Sequence, residues 1–117
     1  MDKILKYQEI VTELLEGYAK EWSDGAQLSF EVVFDTVRHR YQLVCLGWIN
    51  DDYIHNVLIH IDIKDGKVWL QKNTTETFVA EVLTELGVPK SDIVLGLQPP
   101  EYRKYTAYAV ASGLCLN

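Results

Sequence analysis

Ile61-Asp62-Ile63-Lys64-Asp65-Gly66-Lys67-Val68-Trp69-Leu70-Gln71 is the stretch from which the fold reads outward. Asp65-Gly66 sits between two arms of alternating apolar residues. That pattern predicts a two-residue type I′ hairpin turn, because glycine accepts the positive φ such a turn requires. The turn sets a register: Lys64 faces Lys67, Ile63 faces Val68, Asp62 faces Trp69, Ile61 faces Leu70 and His60 faces Gln71. Side chains alternate along a strand, so Val57, Ile59, Ile61, Ile63, Val68 and Leu70 fall on one face.

Toward the N-terminus the alternation continues. Gln27–Asp35 puts Leu28, Phe30, Val32 and Phe34 on one side and Ser29, Glu31 and Asp35 on the other. With loops at Thr36–His39 and Asn50–Asp52, the strands Gln27–Asp35, Arg40–Ile49, Tyr53–Lys64 and Lys67–Lys72 form a four-stranded antiparallel meander. Tyr41, Leu43 and Cys45 join its apolar face. Asp2–Trp22 is expected to be the helix that covers it: Ile4, Tyr7, Val11, Leu14, Leu15, Tyr18 and Trp22 recur at spacings of three and four. The Ser23-Asp24-Gly25 cluster ends this helix.

The opposite face is mixed. In the expected register Val44, Leu46, Trp48, Ile54 and Leu58 form an apolar patch on it, beside His60, Asp62, Trp69 and Gln71. A monomer seldom leaves a patch of more than a few hundred Å² bare. Its cover is therefore the C-terminal segment, a second copy or another protein.

Toward the C-terminus, Thr75–Leu86 is expected to be a second helix, with Asn73 and Glu76 as a capping pair and Gly87 at the C′ position. Pro89, Pro99 and Pro100 prevent a long helix before about Glu101. Ile93-Val94-Leu95 reads as a short strand or a buried linker. Tyr102–Ala111 is apolar enough to pack as a short helix or an extended segment. Tyr102, Arg103 and Tyr105 join the candidate contact residues, since Tyr and Arg are favoured at interface hot spots. The class is α+β, expected as one domain over residues 1–117.

Composition narrows the function. The chain is 48% hydrophobic and 24% charged, an ordinary globular balance. Its formal net charge is −6, and Lys and Arg form no run longer than Arg103-Lys104. Phosphate-backbone ligands call for a basic patch, so this argues against autonomous nucleic-acid binding. Residues 1–22 carry Asp, Lys and Glu throughout, unlike a signal peptide or a membrane span. Two cysteines, Cys45 and Cys115, do not make a disulfide scaffold. A reducing, cytoplasmic compartment is expected.

No cofactor or metal motif stands out. His39, His55 and His60 lack zinc-ligand spacing, and there is no glycine-rich phosphate loop or nucleophile elbow. His60 and Asp62 share a strand face and could form an acid–base pair. A catalytic site also needs a nucleophile or oxyanion donors in a pocket, and an open strand face supplies none. A hydrogen-bonded surface with an Arg40–Asp62 pair is the better reading, so no residue is assigned as catalytic.

Ile61–Gln71 followed by Asn73-Thr74-Thr75-Glu76, then Leu86-Gly87-Val88-Pro89-Lys90-Ser91-Asp92-Ile93-Val94-Leu95-Gly96, and the ending Pro100-x-x-Arg103-x-x-Thr106-x-Tyr108-Ala109-Val110, are long and unusual motifs. They resemble those of the XisI proteins. Tyr7, Leu14-Leu15 and the block Phe34-Asp35-Thr36…Tyr41-Gln42-Leu43-Val44…Gly47-Trp48 resemble the same family. Departures are Leu97-Gln98, where an aromatic followed by His is common, and Thr77-Phe78-Val79 in place of a Gly-Ile-type sequence. XisI proteins are cyanobacterial factors named for controlling excision of the fdxN DNA element during heterocyst development, a reaction carried out by a site-specific recombinase. They are typically encoded beside XisH, which looks like a nuclease-fold protein.

The resemblance implies a non-enzymatic accessory or regulatory protein with an XisH-like partner; a homodimer is a further expectation, from the bare apolar patch on the sheet. Direct DNA binding at the element ends, or a place in a nuclease complex, are the alternatives to that reading.

Overall fold

A computed structural model of the chain describes residues 2–110. In chain order the elements are α1 (Lys3–Ser23), β1 (Ser29–Asp35), β2 (Arg40–Ile49), β3 (Asp52–Lys64), β4 (Lys67–Asn73) and α2 (Val79–Glu85). A short 3-10 turn (Lys90–Asp92), β5 (Ile93–Leu95) and a 3-10 helix (Pro100–Tyr105) follow. The α+β class expected from the sequence is present, with the N-terminal helix packed on a sheet. Cys115 and the rest of residues 111–117 lie outside the described residues.

The sheet has five strands in sequential order, not four. β1–β4 pair antiparallel, and β5 pairs parallel with β4, Val68 opposite Ile93 and Trp69 opposite Val94. The expected antiparallel meander is thus corrected to a mixed sheet. The path from β4 to β5 passes through α2, which returns the chain in the direction β4 runs. Ile93 and Val94 are fully buried. A strand buried on both faces is a continuous apolar run, so it lacks the alternation that marks the other strands.

Asp65 and Gly66 both have positive φ, 55° and 74°, and the turn closes as expected from Lys64–Lys67 to Ile61–Leu70. Beyond it the register departs from expectation at two places. Gln71 is an extra residue on β4, so His60 faces Lys72 instead of Gln71. The β2–β3 loop holds two residues, Asn50-Asp51, because Asp52 pairs with Ile49. Leu58 is then an extra residue on β3, and pairing returns to the expected register at Leu43–Ile59. Both are β-bulges, which add a residue to one strand and reverse the facing of what lies beyond.

α1 begins where the Asp2 side chain accepts a bond from Ile4 N at 3.0 Å. Tyr7, Val11 and Leu15, one helical turn apart, are its buried residues. Tyr18 stacks on Trp22, which meets Phe30 edge-on. α2 is shorter than expected. Asn73 Oδ1 accepts from Thr75 N and Thr75 Oγ1, and its amide donates to Thr77 O. These local bonds hold residues 73–77 in a turn that competes with helix, and no Asn73–Glu76 capping box forms. The far end matches expectation: Gly87 at φ 116° closes a Schellman motif, Val88 N to Leu83 O and Gly87 N to Thr84 O.

Both helices cover one sheet face. Tyr7, Val11, Leu15, Val79, Leu83 and Val88 share a core with Tyr41, Leu43, Ile59, Ile61, Ile63, Val68, Leu70 and Ile93. A polar contact ties α1 to the approach into β5: the Tyr7 hydroxyl donates to Asp92, and Lys3 Nζ lies 3.1 Å from the same carboxylate. Burial, reinforced by Asp92, pushes the Tyr7 phenol up to about 12. Its proton is held more tightly in the folded chain, so stability present below pH 10 declines as pH rises toward 12. Tyr7→Phe keeps the ring and loses the hydrogen bond. Urea titration of this variant should show a loss of about 1–2 kcal/mol at pH 7, with a shallower fall than wild type between pH 10 and 12.

Candidate interaction surface

The face opposite the helices is divided in two. At its β4–β5 end the chain covers itself. Trp69, 3% exposed, packs with Val94 and Ala109, and Ala109 N donates to Ile93 O at 2.8 Å. Arg103 is equally buried and lies over the Trp69 ring at 5.4 Å. Its Nε donates to Leu95 O and Gln98 O, both at 3.2 Å, and Nη2 reaches Gly96 O at 3.5 Å. Arg103 therefore staples the Pro100–Tyr105 helix to the loop after β5. Trp69 and Arg103, expected as contact residues, are interior. Tyr102 and Tyr105 on the same segment are exposed, Tyr105 under the Lys104 ammonium.

Next to this covered end lies a polar network. His60 Nε2 meets Asp62 Oδ1 at 2.7 Å, and His60 Nδ1 meets Gln42 Nε2 at 2.9 Å. With the Gln42 amide nitrogen toward it, Nδ1 accepts, so Nε2 carries the proton and donates to Asp62. Gln71 Nε2 and Arg40 Nη1 reach the other carboxylate oxygen at 3.3 and 3.4 Å. Burial acts to raise the Asp62 pKa, but the bond from His60, then Gln71 and Arg40, hold it below the usual carboxylate range. Arg38, Arg40, Asp62, Ile63, Lys64 and Gln71 line a recess of about 100 Å³ beside it. Gly96 leaves room for Gln71: a methyl there would overlap Gln71 Oε1. The sequence pointed to Arg40, His60, Asp62 and Gln71 together; at the bulge Gln71 bonds Asp62 although its expected pairing with His60 is lost.

The β2–β3 end is open. The bulge at Leu58 inverts the facing of everything from Asp52 to Val57. Ile54 and Leu58, expected on this face, are corrected: Leu58 packs against the helix-side core, and Ile54 sits opposite Gly47 on the helix side. Tyr53, His55 and Val57 take their place, opposite Trp48, Leu46 and Val44. Val44 is buried and Leu46 half-buried, but Trp48 is 62% and Tyr53 53% exposed. Trp48 and Tyr53 pack at 5.2 Å between ring centroids, and Tyr53 stacks on His55. Val33, half exposed, lies on this side through its pairing with Gln42. Sequence reading missed Tyr53 and His55. The short Asn50-Asp51 turn is the signal that finds them.

The family model for the XisI protein matches residues 1–110. The chain belongs to the XisI family. An XisI-like protein from Anabaena variabilis shares 46% identity, over 92% of this chain and 99% of that one, with a TM-score of 0.87. The fdxN element excision controlling factor XisI from the same organism aligns with a TM-score of 0.77 over 94% of this chain and all of that one. At 24% identity that second likeness is one of fold. No curated protein matches the chain.

The XisI fold thus carries here a closed polar end and an open aromatic end on one sheet face. Among the described residues, no three His, Cys, Asp or Glu side chains converge to hold a metal ion, and no helix is long and apolar enough to cross a membrane. Asp62→Asn removes the network's one carboxylate and should cost roughly 1–3 kcal/mol at pH 7. The folded carboxyl is ionised more readily than the unfolded one, so its contribution is present above the ordinary value of 3.8 and lost as pH falls below it. Wild type and Asp62→Asn should therefore converge in stability below about pH 4, as read by urea midpoints across pH.

Proposed function

We propose that this XisI-family chain, as one domain over 1–117, is a non-enzymatic accessory protein in the control of DNA element excision, acting by binding an XisH-like protein. The observation that carries the reading is the solvent-exposed pair Trp48 and Tyr53, packed ring against ring at a tilt, with Tyr53 stacked on His55, on a projecting strand arm. Large aromatics are enriched at protein interfaces and supply much of their binding energy. Exposing two of them together costs solvation that a partner would recover.

The polar end supports a role without chemistry. Both ring nitrogens of His60 are engaged by the protein's own side chains. A general base needs a nitrogen within hydrogen-bond reach of the proton it takes, and using His60 that way breaks the Gln42 or Asp62 bond. The net charge of −6 favours a protein partner over a phosphate backbone.

The test is capture of a purified XisH-like protein by this chain and by the double variant Trp48→Asp, Tyr53→Asp. The wild type should retain the partner, and the variant should bind at least about ten-fold more weakly, with an unchanged circular dichroism spectrum. Undiminished capture by the variant overturns the reading. A steeply salt-dependent shift of element-end DNA by this chain alone would favour the direct-binding alternative.

A further inference from the structure

β3 outruns its neighbour. Its ladder with β4 covers only Ile59–Lys64, while its ladder with β2 continues out to Asp52. Thr74 N donates to Leu58 O at 2.9 Å, and the chain then turns away toward α2. Among the described residues, none pairs with the outer edge of β3 from Asp52 to Val57. By the alternation of an antiparallel ladder, every second residue there directs its N–H and C=O outward. Such an edge is a ready template for another strand, and proteins usually blunt it with charge, proline or a covering segment.

Along Tyr53-Ile54-His55-Asn56-Val57 this edge has no Asp, Glu, Lys, Arg or Pro, in a chain of net charge −6, and among the described residues no strand lies over it. The other long edge, β1, differs: Glu31 and Asp35 lie on it, so pairing two copies of β1 gathers acidic side chains. We infer that the β3 edge pairs antiparallel with the same edge of a second copy, joining two sheets into one. The symmetric register that uses the whole stretch sets His55 against its own counterpart and Tyr53 against Val57 of the second copy. Aromatic–β-branched pairs of that kind stabilise a ladder. Tyr53, His55 and Val57 share the face of Trp48, so the pairing places the two aromatic clusters side by side and leaves that face open. The inference therefore stands apart from the partner-binding reading: one uses the edge, the other the face.

Sedimentation equilibrium of the full chain should show a dimer. His55→Lys places like charges opposite each other on the two-fold axis and should weaken the dimer at least about ten-fold, with an unchanged circular dichroism spectrum. Disulfide trapping in a Cys115→Ser background checks the register independently. His55→Cys should cross-link with itself, whereas Tyr53→Cys and Val57→Cys should cross-link when mixed and not alone. A wild-type chain that stays monomeric at tens of micromolar overturns the inference. So does a dimer that tolerates His55→Lys and fails to cross-link through position 55.

Discussion

The positive φ at Asp65 and Gly66 is the constraint on which the sheet depends. A strand has a side-chain period of two, so the turn decides at once which residues of β3 and β4 meet the helices. With Lys64 opposite Lys67, the isoleucines 59, 61 and 63 and the pair Val68 and Leu70 point to α1 and α2, and none of them is more than slightly exposed. A slip by one residue would carry Asp62, His60 and Trp69 into the helix-side core and expose the aliphatic set. The cost of burying an unpaired carboxylate there excludes the alternative.

Parity set by one turn persists only until a bulge inverts it, and this chain has two. At Gln71, the extra residue, the side-chain amide reaches Asp62 and joins Arg40 on the carboxylate oxygen that His60 leaves free. Near Leu58 the extra residue moves one leucine onto the core and turns Tyr53 and His55 to the far side. Both bulges sit where β3 changes neighbours, close to the end of the β4 ladder. Bulges are common at such sheet margins because the backbone can bend there without losing a second ladder.

Those bulges also explain what could and could not be read from the sequence. Helix α1, the Asp65-Gly66 hairpin, the strand β2 bounds and the Gly87 terminus were legible because each has a strong local cause: a periodic apolar stripe, a turn dipeptide, alternation or a C′ glycine. The stretch Tyr53-Ile54-His55-Asn56-Val57-Leu58 has apolar residues on both parities, so hydrophobic pattern does not choose its register. There the choice of a two- or three-residue loop decided the facing. The fifth strand and the interior place of Arg103 depend on contacts distant in sequence, between Ile93 and Val68 and between Arg103 and the carbonyls of Leu95 and Gln98. An arginine that donates to several backbone carbonyls looks, in sequence, the same as one waiting for a partner.

The division of the non-helical face follows from chain length on either side of β3. After β5, residues 96–110 fold back over Trp69 and Val94, where Arg103 supplies donors to carbonyls that the short β5 leaves without ladder partners. No segment of the described chain performs that service for Trp48 and Tyr53, because β1 ends its pairing at Leu46 and β4 at Ile59. The β2–β3 arm thus carries its aromatic side chains beyond the reach of both helices and of the C-terminal cover. A two-stranded arm gains little stability alone. Its aromatic tip contributes nothing to the helix-side core, and Trp48 and Tyr53 keep most of their surface in water.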